Sequence, residues 1–127
     1  MSYKISYDPE SKIVCCQHAG RITKDGLRTR SIKTIELAKA NSANLYLIDV
    51  VDLEGGVSTV GLYDLPAVYE KAGVDRRVVC AAILYNAKDK ALANDVHFYE
   101  TVCINNGWKV KMFSDRQEAI RWLTGGN

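Results

Sequence analysis
Residues 44–51 read Asn44-Leu45-Tyr46-Leu47-Ile48-Asp49-Val50-Val51, and residues 77–85 read Arg77-Val78-Val79-Cys80-Ala81-Ala82-Ile83-Leu84-Tyr85. Both are near-continuous apolar runs, without the strict alternation of a strand that keeps one face in water. Runs of this kind suit strands covered on both faces, as in a parallel sheet flanked by helices. The segments around them supply those helices. Leu27, Ser31, Ile35 and Ala38 recur at four, four and three residues and mark a helix to about Asn41, with Thr23 as N-cap and Asp25 in the first turn. Leu92, Val96, Tyr99 and Cys103 mark a second helix over 88–106, which Gly107 ends.

Three further strands and two further helices complete the pattern. Residues 3–7 and 12–19 are strands separated by Asp8-Pro9 and a short polar connection, which predicts an antiparallel hairpin. Residues 108–113, Trp108-Lys109-Val110-Lys111-Met112-Phe113, alternate strictly, and the two lysines fit an edge strand. Asp64 is placed to cap a helix with Pro66 in its first turn, Leu65, Val68, Tyr69 and Ala72 on its apolar face and Gly73 at its stop. That assignment leaves 52–64 as either a long glycine-containing loop or a loop with a short helical turn. Ser114-Asp115-Arg116-Gln117 fits a capping box for a last helix anchored by Ala119, Ile120, Trp122 and Leu123. The order β-β-α-β-α-β-α-β-α predicts one α/β domain over 1–127. Its five-stranded sheet is mostly parallel, with one antiparallel N-terminal strand.

Composition narrows function mainly by exclusion. The 127 residues carry 17 Lys and Arg against 15 Asp and Glu, a formal charge of +2, which gives no polyanion-binding surface and argues against a nucleic-acid partner. Arg28, Arg30, Lys33 and Lys39 read as solvated charges on the first helix. No apolar run reaches the roughly 20 residues that span a bilayer, and the N-terminus lacks the apolar core of a signal peptide, so the expected setting is cytoplasmic. Cys15, Cys16, Cys80 and Cys103 lack CxxC spacing and read as small core residues with reduced thiols. HxxxH and HxH are absent, so His18 and His97 form no recognisable metal site; no metal and no cofactor is expected.

The tests for chemistry converge on one loop. Gly55-Gly56-Val57-Ser58-Thr59 follows a strand but lacks both GxxxxGK[ST] and GxGxxG, so nucleotide binding is unsupported. Asp49 is an acid inside an apolar strand, where a carboxylate needs partners, and hydrogen bonds to loop amides would supply them. Asp49 and Asp52 also form a possible acid–base or metal pair. No GxSxG or cysteine-nucleophile motif is present, so no catalytic residue is assigned and a non-enzymatic protein is expected. Asp49, Asp52, Gly55, Gly56, Ser58, Thr59 and Tyr63 are the candidate binding residues, because long loops at the carboxyl ends of parallel strands are where such sheets bind ligands. Tyr63, Tyr69, Phe98 and Tyr99 are placed to line an apolar-ligand pocket near 52–64. The open edge at 108–113 allows pairing with a second copy, although its lysines oppose this.

Three stretches, together with strand 77–85, carry a family likeness. They are the second strand running through Gly20-Arg21-Ile22-Thr23 into a helix, Leu47-Ile48-Asp49-Val50-Val51-Asp52-Leu53-Glu54-Gly55, and the ending Val110 to Leu123. In the ending, F-x-D-x-x-x-A-x-x-W-L is the most specific part. The chain resembles the SpoIIAA-like proteins of the STAS/CRAL-TRIO superfamily. The resemblance implies a small α/β domain, usually bacterial, acting as a regulatory module through an unknown protein partner. Better-known relatives are anti-sigma-factor antagonists with a phosphorylatable serine in an Asp-Ser-Ser-Gly motif at a helix start. Here Asp49 matches the aspartate that ends the central strand, but no Asp-Ser-Ser-Gly follows. Ser58 and Thr59 occupy that region loosely and are the candidate phosphorylation positions. Other relatives, the CRAL-TRIO proteins, bind lipids, and so the resemblance also admits a small apolar ligand.

Overall fold
The computed structural model describes residues 2–54 and 59–125, with side chains for 3–54 and 65–125. The described residues form β1 (Ser2–Asp8), β2 (Ile13–Gly20), α1 (Lys24–Ala40), β3 (Leu45–Leu53), α2 (Thr59–Lys71), β4 (Cys80–Leu84), α3 (Lys90–Asn105), β5 (Lys109–Phe113) and α4 (Arg116–Leu123). They build one five-stranded sheet in the order β1-β2-β3-β4-β5. β1 is antiparallel to β2, and all later neighbours are parallel. This is the element order and sheet that the apolar runs and helical spacings predict.

The alternation of side chains along each strand divides the core between two faces. Val14, Tyr46, Val50 and Ile83 point to the face covered by α1, α2 and α3, where Leu27, Ile35, Leu65, Leu92, Val96 and Tyr99 meet them. Ile13, Leu47, Ala82 and Leu84 point the other way, onto Ala119 and Leu123 of α4. The short α4 packs mainly on β3, β4 and β5 and meets β2 at Ile13 and Cys15, so the second face over β1 carries no helix among the described residues.

Four local features depart from the sequence reading. First, α2 starts at Thr59, so Asp64 lies within the helix and does not cap it, and Pro66 is interior. An interior proline removes one backbone hydrogen bond and costs roughly 3 kcal/mol; the packing of Leu65, Val68 and Tyr69 against the main core offsets this. The segment between β3 and α2 is therefore much shorter than 52–64. Second, β4 starts at Cys80, because Asp75 holds 77–79 in a turn: its carboxylate accepts from the Arg77 amide at 2.9 Å, and its carbonyl from those of Val78 and Val79 at 3.1 Å. Third, the N-cap of α4 is Asp115 and not Ser114; its side chain accepts from the Gln117 amide at 3.1 Å. Fourth, Arg30 is not solvated; it is 2% exposed.

The expected cap of α1 and the glycine stops agree. Thr23 caps α1, accepting from the Gly26 amide at 2.9 Å. Gly73 and Gly107 end α2 and α3 at φ +81° and +83°, a conformation that side chains with a Cβ resist. All four cysteines are free thiols: Cys16 and Cys103 are buried, Cys15 and Cys80 half-buried. No helix among the described residues is long and apolar enough to cross a membrane.

Candidate functional site
The carboxyl end of β3 is built around a β-bulge. Gln17 of β2 pairs with Asp49 and Ala19 with Asp52, so Val50 and Val51 together stand opposite His18. Strand alternation alone would send residues three apart to opposite faces. The extra residue resets the alternation, and Asp49 and Asp52 come to line the same hollow. Its volume is about 260 Å³, and Tyr3, Lys4, Gln17, His18 and Ala19 form the rest of its wall.

Asp49 holds this bulge together. Its Oδ1 accepts from the Val51 amide at 3.0 Å, pairing a backbone donor that the bulge takes out of the ladder. Its Oδ2 accepts from Gln17 Nε2 at 3.4 Å and from Arg116 Nη1, at the start of α4, at 3.2 Å. With three donors on it, the half of this pair that is buried is an anchor and not a free base. Asp52, by contrast, is exposed at the rim.

Behind the hollow lies a buried polar chain. Arg30 Nη1 stands 3.0 Å from His18 Nδ1, and His18 Nε2 stands 3.3 Å from Cys16 Sγ. A guanidinium only donates hydrogen bonds. Nδ1 therefore carries the lone pair, Nε2 carries the proton, and that proton points at the thiol. In this tautomer His18 has no lone pair with which to deprotonate Cys16. Burial, with Arg30 beside it, pushes the His18 pKa down to about 4, while Asp49 acts in the opposite direction. Burial raises both the Cys15 and Cys16 thiols, which keeps them protonated at neutral pH.

The other candidates fall elsewhere. Thr59 opens α2 and Tyr63 lies within it. Gly55, Gly56 and Ser58 lie outside the described residues. His97 sits on the exposed side of α3, edge-on to Tyr85 with ring centroids 6.4 Å apart, and does not line the hollow of Asp49 and Asp52. Phe98 is exposed, whereas Tyr99 lines a separate apolar cavity of about 60 Å³ between the sheet and α1–α3. Sequence reading missed Gln17 and Arg116, which reach Asp49 from 32 and 67 residues away. It also missed the buried Arg30. One signal was available: Cys16 and His18 are two apart on a strand and so must share a face.

The chain is similar in structure to an uncharacterized protein of the DUF3478 family from Shewanella loihica PV-4, whose crystal structure has a SpoIIAA-like fold. The likeness covers 96% of this chain and 92% of that one, with a TM-score of 0.57 and 20% identity. The fold is SpoIIAA-like. At this identity the likeness carries the SpoIIAA-like architecture and not its chemistry. No protein-family profile and no curated protein matches the sequence.

Proposed function
We propose that this SpoIIAA-like domain is a non-enzymatic binding module that acts through protein–protein contacts made at the carboxyl end of β3. The observation that carries this reading is the state of Asp49. Its carboxylate is occupied by three donors that fix the bulge, while the neighbouring Asp52 is left exposed at the edge of an open hollow. That arrangement shapes a surface and does not poise a base. The start of α2 at Thr59 adds support, since the resembling regulators carry their phosphorylatable residue at a helix start. The test is binding of a partner from the native host, measured with purified proteins. Asp52→Lys and Thr59→Glu are expected to weaken it tenfold or more while the folded spectrum stays unchanged. A partner that binds both variants as tightly as the parent would place the contact surface elsewhere.

The second reading, a small apolar-ligand protein, is supported by the cavity of about 60 Å³, whose wall includes Leu53 and Leu65 on either side of the connection from β3 to α2. Its size limits the ligand. A cavity of roughly 150 Å³ takes benzene or xenon, so an acyl chain would need helices to move. Native mass spectrometry after exposure to extracted lipid separates the two readings. A retained ligand favours the second, and a bare protein counts against it.

A further inference from the structure
We propose that His18 and Arg30 form an acid-released latch that holds the edge strand β1 against α1. The geometry places one buried guanidinium between two strands. Arg30, projecting from α1, donates to His18 Nδ1 on β2, and its Cζ lies 4.6 Å from the centre of the Tyr3 ring on β1. Lys33, one turn along α1, donates to Tyr3 Oη at 2.8 Å, but in an exposed setting. The Arg30–His18 contact is buried, so it fixes the guanidinium in place against the Tyr3 ring, which is itself 40% exposed, more firmly than solvent lets Lys33 hold Tyr3 Oη.

Protonation of His18 reverses the polarity of that contact. Nδ1 gains a hydrogen and becomes a donor, facing a guanidinium that can only donate. Two cations would then share a site in which His18 is 4% and Arg30 2% exposed. The charged and titratable groups around His18 do not cancel this. Cys16 of β2 is a neutral thiol on Nε2, and Tyr3 of β1 presents a ring to Arg30. Asp49 of β3 is already bonded to Arg116 and Gln17. Asp95 of α3 lines the same apolar cavity as His18, and the described wall of α2 there is Leu65. Acid thus favours a state in which Arg30 leaves its seat and uncovers Tyr3.

The strand it releases lies at the edge of the sheet, tied by an unbroken antiparallel ladder from Ser2–Ala19 to Asp8–Ile13. β1 pairs with β2 alone, and none of its described residues is buried; only Ile5 and Tyr7 touch a core cluster, at its margin. Opening therefore removes a tie of β1 to α1 and loosens its ladder to β2 without dismantling the two main cores, and it reshapes the hollow whose wall includes Tyr3 and His18. The direction follows from linkage. His18 binds its proton less readily when latched than when open, so the latch is fully closed above the ordinary histidine range, about pH 6.5. It weakens as pH falls from there toward about 4. The inference does not depend on the protein-contact reading above.

Amide hydrogen exchange, corrected for intrinsic rates, is compared at pH 7 and pH 4.5 in the parent and in His18→Gln. Glutamine offers Arg30 a carbonyl acceptor and does not titrate. The parent is expected to lose protection in β1 at least tenfold more than the variant, while β3 and β4 stay protected in both. Equal acid response in the two proteins, or a fully protected β1 in the parent at pH 4.5, would overturn the latch. Imidazole ¹⁵N shifts of the parent supply a second measurement should the variant fail to fold. They are expected to show His18 as the Nε2–H tautomer at pH 7, protonating in step with the loss of β1 protection. An Nδ1–H tautomer, or protonation near pH 6.5 with β1 still protected, would also overturn it.

Discussion
Asp49→Ala is expected to destabilise the protein by roughly 2–4 kcal/mol, much more than removal of its ion-pair partner. Only 12% of the Asp49 side chain is exposed, against 48% for Arg116. Truncating Asp49 strands the Val51 amide at the bulge and leaves Gln17 and Arg116 without their acceptor. Truncating Arg116 removes a half-exposed pair, for which solvent screening leaves about 1 kcal/mol or less. Asp49→Asn keeps an acceptor for Val51 but no charge for Arg116, and falls between the two. Urea denaturation of the three variants makes the comparison. Equal losses in Asp49→Ala and Arg116→Ala would mean that the ion pair, and not the capped bulge, carries the stabilisation. A bulge that relaxes in Asp49→Ala also returns Asp52 toward the opposite face, so partner binding should weaken along with stability.

The same residues show where sequence reading succeeds and where it stops. Apolar periodicity is a local property, and it located each strand and helix of the described residues: Leu92, Val96, Tyr99 and Cys103 are all buried, as their spacing requires. An acid amid an apolar run must find partners, and Asp49 does, but β3 runs on to Leu53, so the amide it accepts from is that of Val51 within the strand and not one of the following loop. The bulge was not legible, because it is a property of the register between two strands; read along one chain, Asp49 and Asp52 belong to opposite faces. Arg30 was misread for a related reason. Leu27 and Thr34, three before and four after it, are buried on the same face of α1, but its charge outweighed that spacing in the reading, and the approach of β2 and β1 completes its burial. The start of α2 was misplaced because Pro66 was weighed by local cost alone, whereas the packing of Leu65 and Tyr69 outweighs that cost. Local rules therefore delivered the architecture, while the candidate site depends on pairings between distant segments.

Leu92→Ala is expected to cost about 3–5 kcal/mol, near the top of the range for such truncations. Leu92 is 1% exposed and already borders the cavity of about 60 Å³. Neighbours around an existing void have fewer contacts with which to collapse, so the added space persists and the lost dispersion is not recovered. Phe98→Ala, on the exposed side of the same helix at 39%, serves as the comparison and should cost under about 1 kcal/mol. The enlarged cavity also bears on the apolar-ligand reading. It approaches the roughly 150 Å³ that accommodates benzene or xenon in a dry interior. Benzene should therefore raise the Tm of Leu92→Ala and leave that of the parent unchanged, because ligand binding stabilises only the form with room for it. A rise in the parent would show that the interior opens readily to apolar molecules, which moves the balance toward ligand binding. A cost below about 1 kcal/mol for Leu92→Ala would show that α3 settles onto the sheet and closes the space.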